Sequence, residues 1–239
     1  EKVVVWDAKG LWGFSDERVV FFDNFLKQGL GHLESHPACV EESVAAIQPD
    51  DSAMIIYTSG TTGPPKGAML AHASILWTLE SALEAIPWSP EDEVVSYLPF
   101  AHIFENFTSV YNPIRLGYVV NFVESADTLA QNLREVSPTY FAGPPRIWEK
   151  LASTVELRMA DSTLLKRTLY RLAVVIGRRH ARAAQVGRVG SLLRLAYGLA
   201  YAAVLYPLKR RLGFERIRVA VSAAAPAAPE LFEFFHALG

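Results

Sequence analysis

The stretch Tyr57-Thr58-Ser59-Gly60-Thr61-Thr62-Gly63-Pro64-Pro65-Lys66-Gly67-Ala68-Met69-Leu70 gathers hydroxyls, glycines and a lysine within one loop's length of chain. These are the parts of a polyphosphate cradle. Gly60 and Gly63 permit positive φ and close backbone approach, and main-chain N–H groups freed by such a turn converge on anionic oxygens. Thr58, Ser59, Thr61 and Thr62 add hydroxyl donors, Pro64-Pro65 stiffens the path, and Lys66 contributes a compact charge. The register is not that of the Walker A loop, whose lysine directly follows a glycine and opens a helix. Here Lys66 follows Pro65 and precedes Gly67. A Ser/Thr/Gly surface turn with no ligand is the plain alternative. The lysine and double proline at fixed offsets behind an apolar strand, Met54-Ile55-Ile56-Tyr57, favour the cradle.

Three more blocks follow in order: Ser96-Tyr97-Leu98-Pro99-Phe100-Ala101-His102-Ile103-Phe104-Glu105, Gly143-Pro144-Pro145-Arg146-Ile147-Trp148-Glu149-Lys150 and Val221-Ser222-Ala223-Ala224-Ala225-Pro226. With the loop, they resemble the adenylate-forming (AMP-binding) superfamily over about Asp50 to Gly239, in its long-chain fatty acyl-CoA synthetase branch. Four ordered blocks are far more specific than one. The resemblance implies an α/β fold: a mainly parallel sheet with flanking helices, part of the large N-terminal domain of the acyl-CoA synthetase/luciferase-like fold. It also implies a two-step reaction, in which a fatty carboxylate attacks the α-phosphorus of ATP, pyrophosphate leaves with Mg²⁺, and coenzyme A takes the acyl group from the adenylate.

In that scheme the residues Thr58 to Gly63 and Lys66 hold the β- and γ-phosphates and stabilise the leaving charge. Thr58 is the metal-facing hydroxyl. His102 lies near the acyl carboxylate, and no general-base role is assigned to it because a carboxylic acid is already ionised at neutral pH. Glu105, one turn on, is placed either to orient His102 or simply as a first-turn acid favoured by the helix dipole. Ser222, Ala223, Ala224, Ala225 and Pro226 form the adenine side; the family usually carries a glycine in this block, often where Ala223 stands, so a methyl is added where adenine would stack. Arg146 and Trp148 read as braces or as lining of an acyl tunnel. The family's Tyr-Gly-x-Thr-Glu motif, ribose-binding Asp and C-terminal lid domain are not in this sequence, so the isolated chain is expected not to complete adenylation. An aryl or peptide-synthetase adenylation enzyme, a luciferase relative, another NTPase and a membrane-surface binding module stand as the competing readings.

Strand and helix alternate along the chain, which implies crossover units and a parallel sheet. Strands are expected at Val3–Trp6, Met54–Tyr57, Val94–Leu98, Val119–Val123, Thr139–Ala142 and Ile217–Ser222. Helices are expected at Arg18–Leu30, Ala73–Ile86, His102–Leu116, Leu129–Val136 and, opened by Pro229, through Ala237. Half of the 239 residues (51%) are hydrophobic, enough for a substantial core. Cys39 is the only cysteine, which excludes an internal disulfide framework and fits a reducing, cytoplasmic setting. No secretory signal pattern follows Glu1.

One segment breaks the charge balance. From Arg158 to Arg211 twelve Lys or Arg residues stand against Asp161 alone, a net of +11 that leaves −13 on the rest of a chain whose total is −2. Leu164, Leu165, Leu169, Leu172 and Ile176 recur at helical spacing, and Gly187 and Gly190 mark a break before a second helix, so a helical basic insert is expected over about 157–213. The longest uncharged run, Leu195 to Leu208, falls short of the roughly 20 residues a bilayer span needs. The hairpin is suited either to lying on an anionic membrane surface or to packing with its arginines solvated or paired. It carries no nucleic-acid reader motif, and no nucleic-acid partner is expected.

Overall fold

Val3–Val5 (β1), three β-branched residues, pairs in parallel with Val19–Phe21 (β2), Val3 opposite Val19. The helix expected from Arg18 therefore begins only at Phe22. Val19 and Val20 enter the ladder instead, because their branched side chains suit a pleated surface better than a helical turn. Helices α1 (Phe22–Ser35) and α2 (Cys39–Ala46) follow, and no residue of either is buried. Next come β3 (Ser52–Thr58) and β4 (Lys66–Ala71), which pair as a two-stranded sheet, and α3 (His72–Ala85). The computed structural model describes residues 2–58 and 64–239. They fall into two compact units, one comprising residues up to Ile55 together with Met69–Ile75, the other Ile56–Ala68 together with Leu76–Gly239.

The second unit continues with β5 (Glu93–Ser96), α4 (Ile103–Asn106), a π-helical stretch Phe107–Tyr111, α5 (Asn112–Leu116) and β6 (Val119–Phe122). Then follow α6 (Leu129–Val136), β7 (Tyr140–Gly143), α7 (Pro145–Ala160), α8 (Leu164–Gln185) and α9 (Ser191–Ala200). A second π-helical stretch Tyr201–Leu205, α10 (Tyr206–Arg211), β8 (Val219–Ser222) and α11 (Pro229–Ala237) complete it.

Strands β5 and β6 pair in parallel with Glu93 opposite Val119; β7 and β8 do so with Tyr140 opposite Val219. The two pairs lie side by side. Thr139 N donates to Glu93 O at 3.0 Å at one end of β5 and β7, and Tyr97 Oη donates to Ala142 O at 3.0 Å at the other. The resulting order β6, β5, β7, β8 brings the carboxyl ends of all four strands, Ser96, Phe122, Gly143 and Ser222, to one edge. The winding reverses between β5 and β7, the position where open α/β sheets form their ligand crevice.

Leu133, Phe141 and Leu205 are fully buried at the centre of the main core. The Phe141 ring meets Trp148 edge-on at 5.2 Å and Phe214 at 5.7 Å. Gly213 takes φ +83°, and a Cβ there would collide with the Leu133 carbonyl oxygen, so only glycine closes this turn against α6. At the amino ends of the strands, buried Asp92 accepts from Thr139 Oγ1 at 2.7 Å and from the Arg218 guanidinium at 2.5 Å, tying the ends of β5, β7 and β8 together.

The basic segment is helical, as its leucine spacing requires, and Gly187 at φ +66° marks the break between α8 and α9. Ser191–Arg211 is one continuous 21-residue helical run, long and apolar enough by length and composition to cross a membrane. That exceeds the uncharged stretch read from sequence because the helix continues through Arg194 and through Lys209 to Arg211. It is an amphipathic run: Leu205 is fully buried while Leu192 is 81% exposed.

Candidate active site

Thr58 ends β3 and Lys66 starts β4, so the two residues flank the glycine-rich loop at the base of one two-stranded ribbon. Thr58 Oγ1 donates to Lys66 O at 3.4 Å, a long bond that leaves the hydroxyl weakly committed. Lys66 is exposed, and among the described residues it has no ion-pair partner. Sequence reading kept Lys66 in the loop; it is the first residue of a strand, since Pro64 and Pro65 end the loop and Lys66-Gly67-Ala68-Met69-Leu70 can pair with the apolar β3. Ser59, Gly60, Thr61, Thr62 and Gly63 lie outside the described residues.

His102 occupies the turn leaving β5, at the carboxyl edge of the sheet. It caps α4: its Nδ1 accepts from Phe104 N at 3.2 Å. The His102 side chain is exposed, as a ligand-facing loop residue would be.

Glu105 N donates to His102 O at 3.0 Å, but the Glu105 carboxylate makes no hydrogen bond to the His102 ring. The carboxylate is buried and turned inward, where Oε1 accepts from Ser96 Oγ at 2.5 Å and from Ser109 Oγ at 2.6 Å. Oε2 accepts from Leu98 N at 3.1 Å. One side chain thus ties the end of β5, the start of the turn and the π-helical stretch together. Asn106 completes the frame by donating to the Phe100 carbonyl. The Tyr97 phenol is raised well above its ordinary range, first by burial and then by the Glu105 charge, so it stays a neutral donor to Ala142 O. The role of Glu105 was not legible in sequence, where it is one acid in a first helical turn.

The opposite wall is built by β7 and β8. Gly143 ends β7, and a Cβ there would lie 2.8 Å from Tyr97 Oη, so the close approach of β5's turn to β7 requires glycine. Trp148, on the first turns of α7, donates from Nε1 to Gly143 O at 3.1 Å and to Val221 O at 3.3 Å. It clamps the ends of both strands, which answers in favour of a brace. After β8 the small residues turn sharply: Ala223 N donates to Gly143 O at 3.4 Å, and Ala224 takes φ +70°. The conformational demand in this block therefore falls on Ala224, one residue past the position where the resemblance led us to look. A non-glycine residue in that region costs on the order of 1–3 kcal/mol and recurs at functional turns. Ser222 Oγ is buried with no hydrogen-bond partner among the described residues, and Ser222 lines a cavity of about 400 Å³ beside α11 with Trp148, Phe232 and His236.

The carboxyl edge of the strands thus carries the His102 turn, Gly143 and the Ser222–Pro226 turn. No hydrogen bond or ion pair among the described residues joins Thr58 or Lys66 to either turn. Among the described residues there is also no group of three or more His, Cys, Asp or Glu side chains suited to a metal ion. A family model described as AMP-binding enzyme matches residues 14–239. The chain belongs to the AMP-binding enzyme family. It is 34% identical over 206 residues to a long-chain-fatty-acid–CoA ligase of Rattus norvegicus, covering 83% of this chain and 31% of that protein. It is 34% identical over 221 residues to the human protein of the same name, covering 91% and 32%. A Mycobacterium tuberculosis protein that bears the name fatty-acid–CoA ligase is 37% identical over 201 residues, covering 83% and 35%. The chain spans about a third of the length of the curated relatives it matches.

Proposed function

We propose that this chain is part of the large domain of an enzyme that activates a long-chain fatty acid with ATP through an acyl-adenylate to acyl-CoA. The observation that carries the reading is the shared strand-end edge at the β5/β7 reversal, which carries two turns whose sequences resemble the family's blocks. Ser222 and the small residues Ala223, Ala224, Ala225 and Pro226 form the turn proposed to take the adenine ring. His102, exposed on the other turn, is placed for the acyl carboxylate. Thr58, Ser59, Gly60, Thr61, Thr62, Gly63 and Lys66 serve the β- and γ-phosphates, with Lys66 opposing the charge that grows on departing pyrophosphate. The Thr58 hydroxyl would offer Mg²⁺ a hard oxygen contact from this chain. When bound, the ion supplies charge neutralisation for the leaving group.

The test is kinetic. In the full-length protein, Lys66→Ala should lower the rate of pyrophosphate release with palmitate by about 10²–10³, with a smaller change in the KM for palmitate. Equal pyrophosphate release by variant and wild type, or ATP hydrolysis independent of any carboxylic acid, would overturn the reading.

A second role is favoured by a separate observation: the outer faces of α8 and α9 carry exposed leucines among arginines. Leu164 is 77% exposed, and Leu192 stands outward on α9. Of the segment's cations, Arg182 pairs with Glu233 at 2.7 Å and Arg210 with Glu215 at 3.4 Å, while Arg171, Arg179, Arg188 and Arg194 have no ion pair among the described residues. This pattern suits peripheral contact of a cytoplasmic enzyme with an anionic bilayer. The protein should sediment with vesicles containing phosphatidylserine and stay in solution with pure phosphatidylcholine. Joint replacement of Leu164, Leu165 and Leu192 by Ser should release it; unchanged sedimentation would refute the contact.

A further inference from the structure

Helices of the basic segment and its neighbours enclose a cavity to which neither Thr58 and Lys66 nor the His102 turn contributes. Its volume is about 340 Å³, and it lies between α6, α7, α8 and α10. The floor is apolar, with Leu151, Val155 and Leu212 all buried. The wall carries Arg134, Lys150, Arg158, Lys166 and Arg211, drawn from four different helices, against the single carboxylate of Asp127. All five cations are exposed, and among the described residues none of them is in an ion pair.

Five like charges around one pocket repel one another, and an anion placed among them relieves that repulsion. A free inorganic anion would leave the apolar floor uncovered. A neutral hydrocarbon would leave the charges unanswered. We propose that this cavity binds a single-chain anionic amphiphile, its tail on the Leu151–Leu212 floor and its head among the five cations. The volume sits at the low end of the roughly 300–1,000 Å³ of ligand pockets, which fits one chain and not a diacyl lipid. The site stands apart from acyl activation, since its residues belong to neither the phosphate loop nor the strand-end turns.

Titration calorimetry of the full-length protein with dodecyl phosphate, kept below its micelle concentration, tests the site. Saturable binding is expected, at least tenfold tighter than that of dodecylphosphocholine, which has the same tail and no net charge. Inorganic phosphate alone should give no binding, and each methylene removed from the tail should weaken binding roughly fourfold. Arg158→Glu and Lys166→Glu, both on exposed positions and checked for unchanged circular dichroism, should each weaken it at least tenfold. Lys66→Ala should leave it unchanged. Equal affinity for the phosphocholine, indifference to both charge reversals, loss of binding in Lys66→Ala, or binding seen only to anionic vesicles and never to the monomer would each overturn the proposal.

Discussion

Replacing Glu105 by Ala should lower the unfolding free energy by about 3–5 kcal/mol, because three donors lose a charged acceptor at once in a buried setting. Ser96 Oγ, Ser109 Oγ and Leu98 N all point at that carboxylate. Each hydrogen bond to a charged group contributes about 1.5–3 kcal/mol, and the sum is tempered because hydroxyls can rotate and water can enter the vacated space. Glu105→Gln keeps the volume and an acceptor oxygen, so it should cost about half as much. Urea denaturation of the three proteins would show the ordering. A loss under about 1 kcal/mol for the alanine variant would mean that the turn is held by other contacts. The functional consequence is indirect: the turn that carries His102 hangs from this carboxylate, so the alanine variant should lose order there first, seen as faster amide exchange over Leu98 to Glu105.

Trp148→Ala should be comparably severe, at about 3–5 kcal/mol, through loss of a large buried ring from the centre of the core. The Trp148 ring packs against Phe141, Phe214 and Phe235 and is only 5% exposed. Trp148→Phe separates packing from hydrogen bonding. It keeps most of the apolar volume but strips the donor shared by Gly143 O and Val221 O, and should cost about 1–3 kcal/mol. Faster exchange confined to the Val219–Pro226 strand and turn is the signature expected of the phenylalanine variant. An unchanged exchange pattern would mean that the two carbonyls are not clamped by the indole.

Sequence reading did best where a local signal is self-sufficient. Helix α6 spans Leu129–Val136 and α11 ends at Ala237 behind Pro229, both at the expected bounds, because spacing and the N1 proline act within the element itself. It did worse where a distant partner decides. Val19 was read on one helical face with Phe22, Phe25 and Leu26, yet β1 was available to pair with Val19 to Phe21. Lys66 to Ala71 read as loop because its strand partner is the preceding apolar run. Helix α7 went unread as a helix because Gly143 to Lys150 was taken as a motif, although Pro145 at its first turn is a start signal in its own right. The four-helix cavity is further still from the primary sequence, since Arg134 and Arg211 are 77 positions apart in the chain.

Within the candidate site, the block boundaries were legible and the division of labour was not. Gly143 and Ser222 were each read near a strand end and each terminates a strand at the shared edge, whereas Ser96 was read inside Val94–Leu98 and ends its strand, Leu98 N being turned to the Glu105 carboxylate. That Glu105 faces inward, that Trp148 spans two strand ends and that Ala224 takes the left-handed turn are properties of the assembled sheet. They depend on which strands become neighbours.

The cap made by His102 fixes the chemistry its ring can offer. With Nδ1 occupied as acceptor for Phe104 N–H, a neutral imidazole must carry its proton on Nε2. The atom left facing outward is then a donor. In that tautomer it offers an N–H to an oxygen acceptor and has no lone pair there with which to remove a proton, which suits the role proposed for His102 of holding an acid and not that of a base.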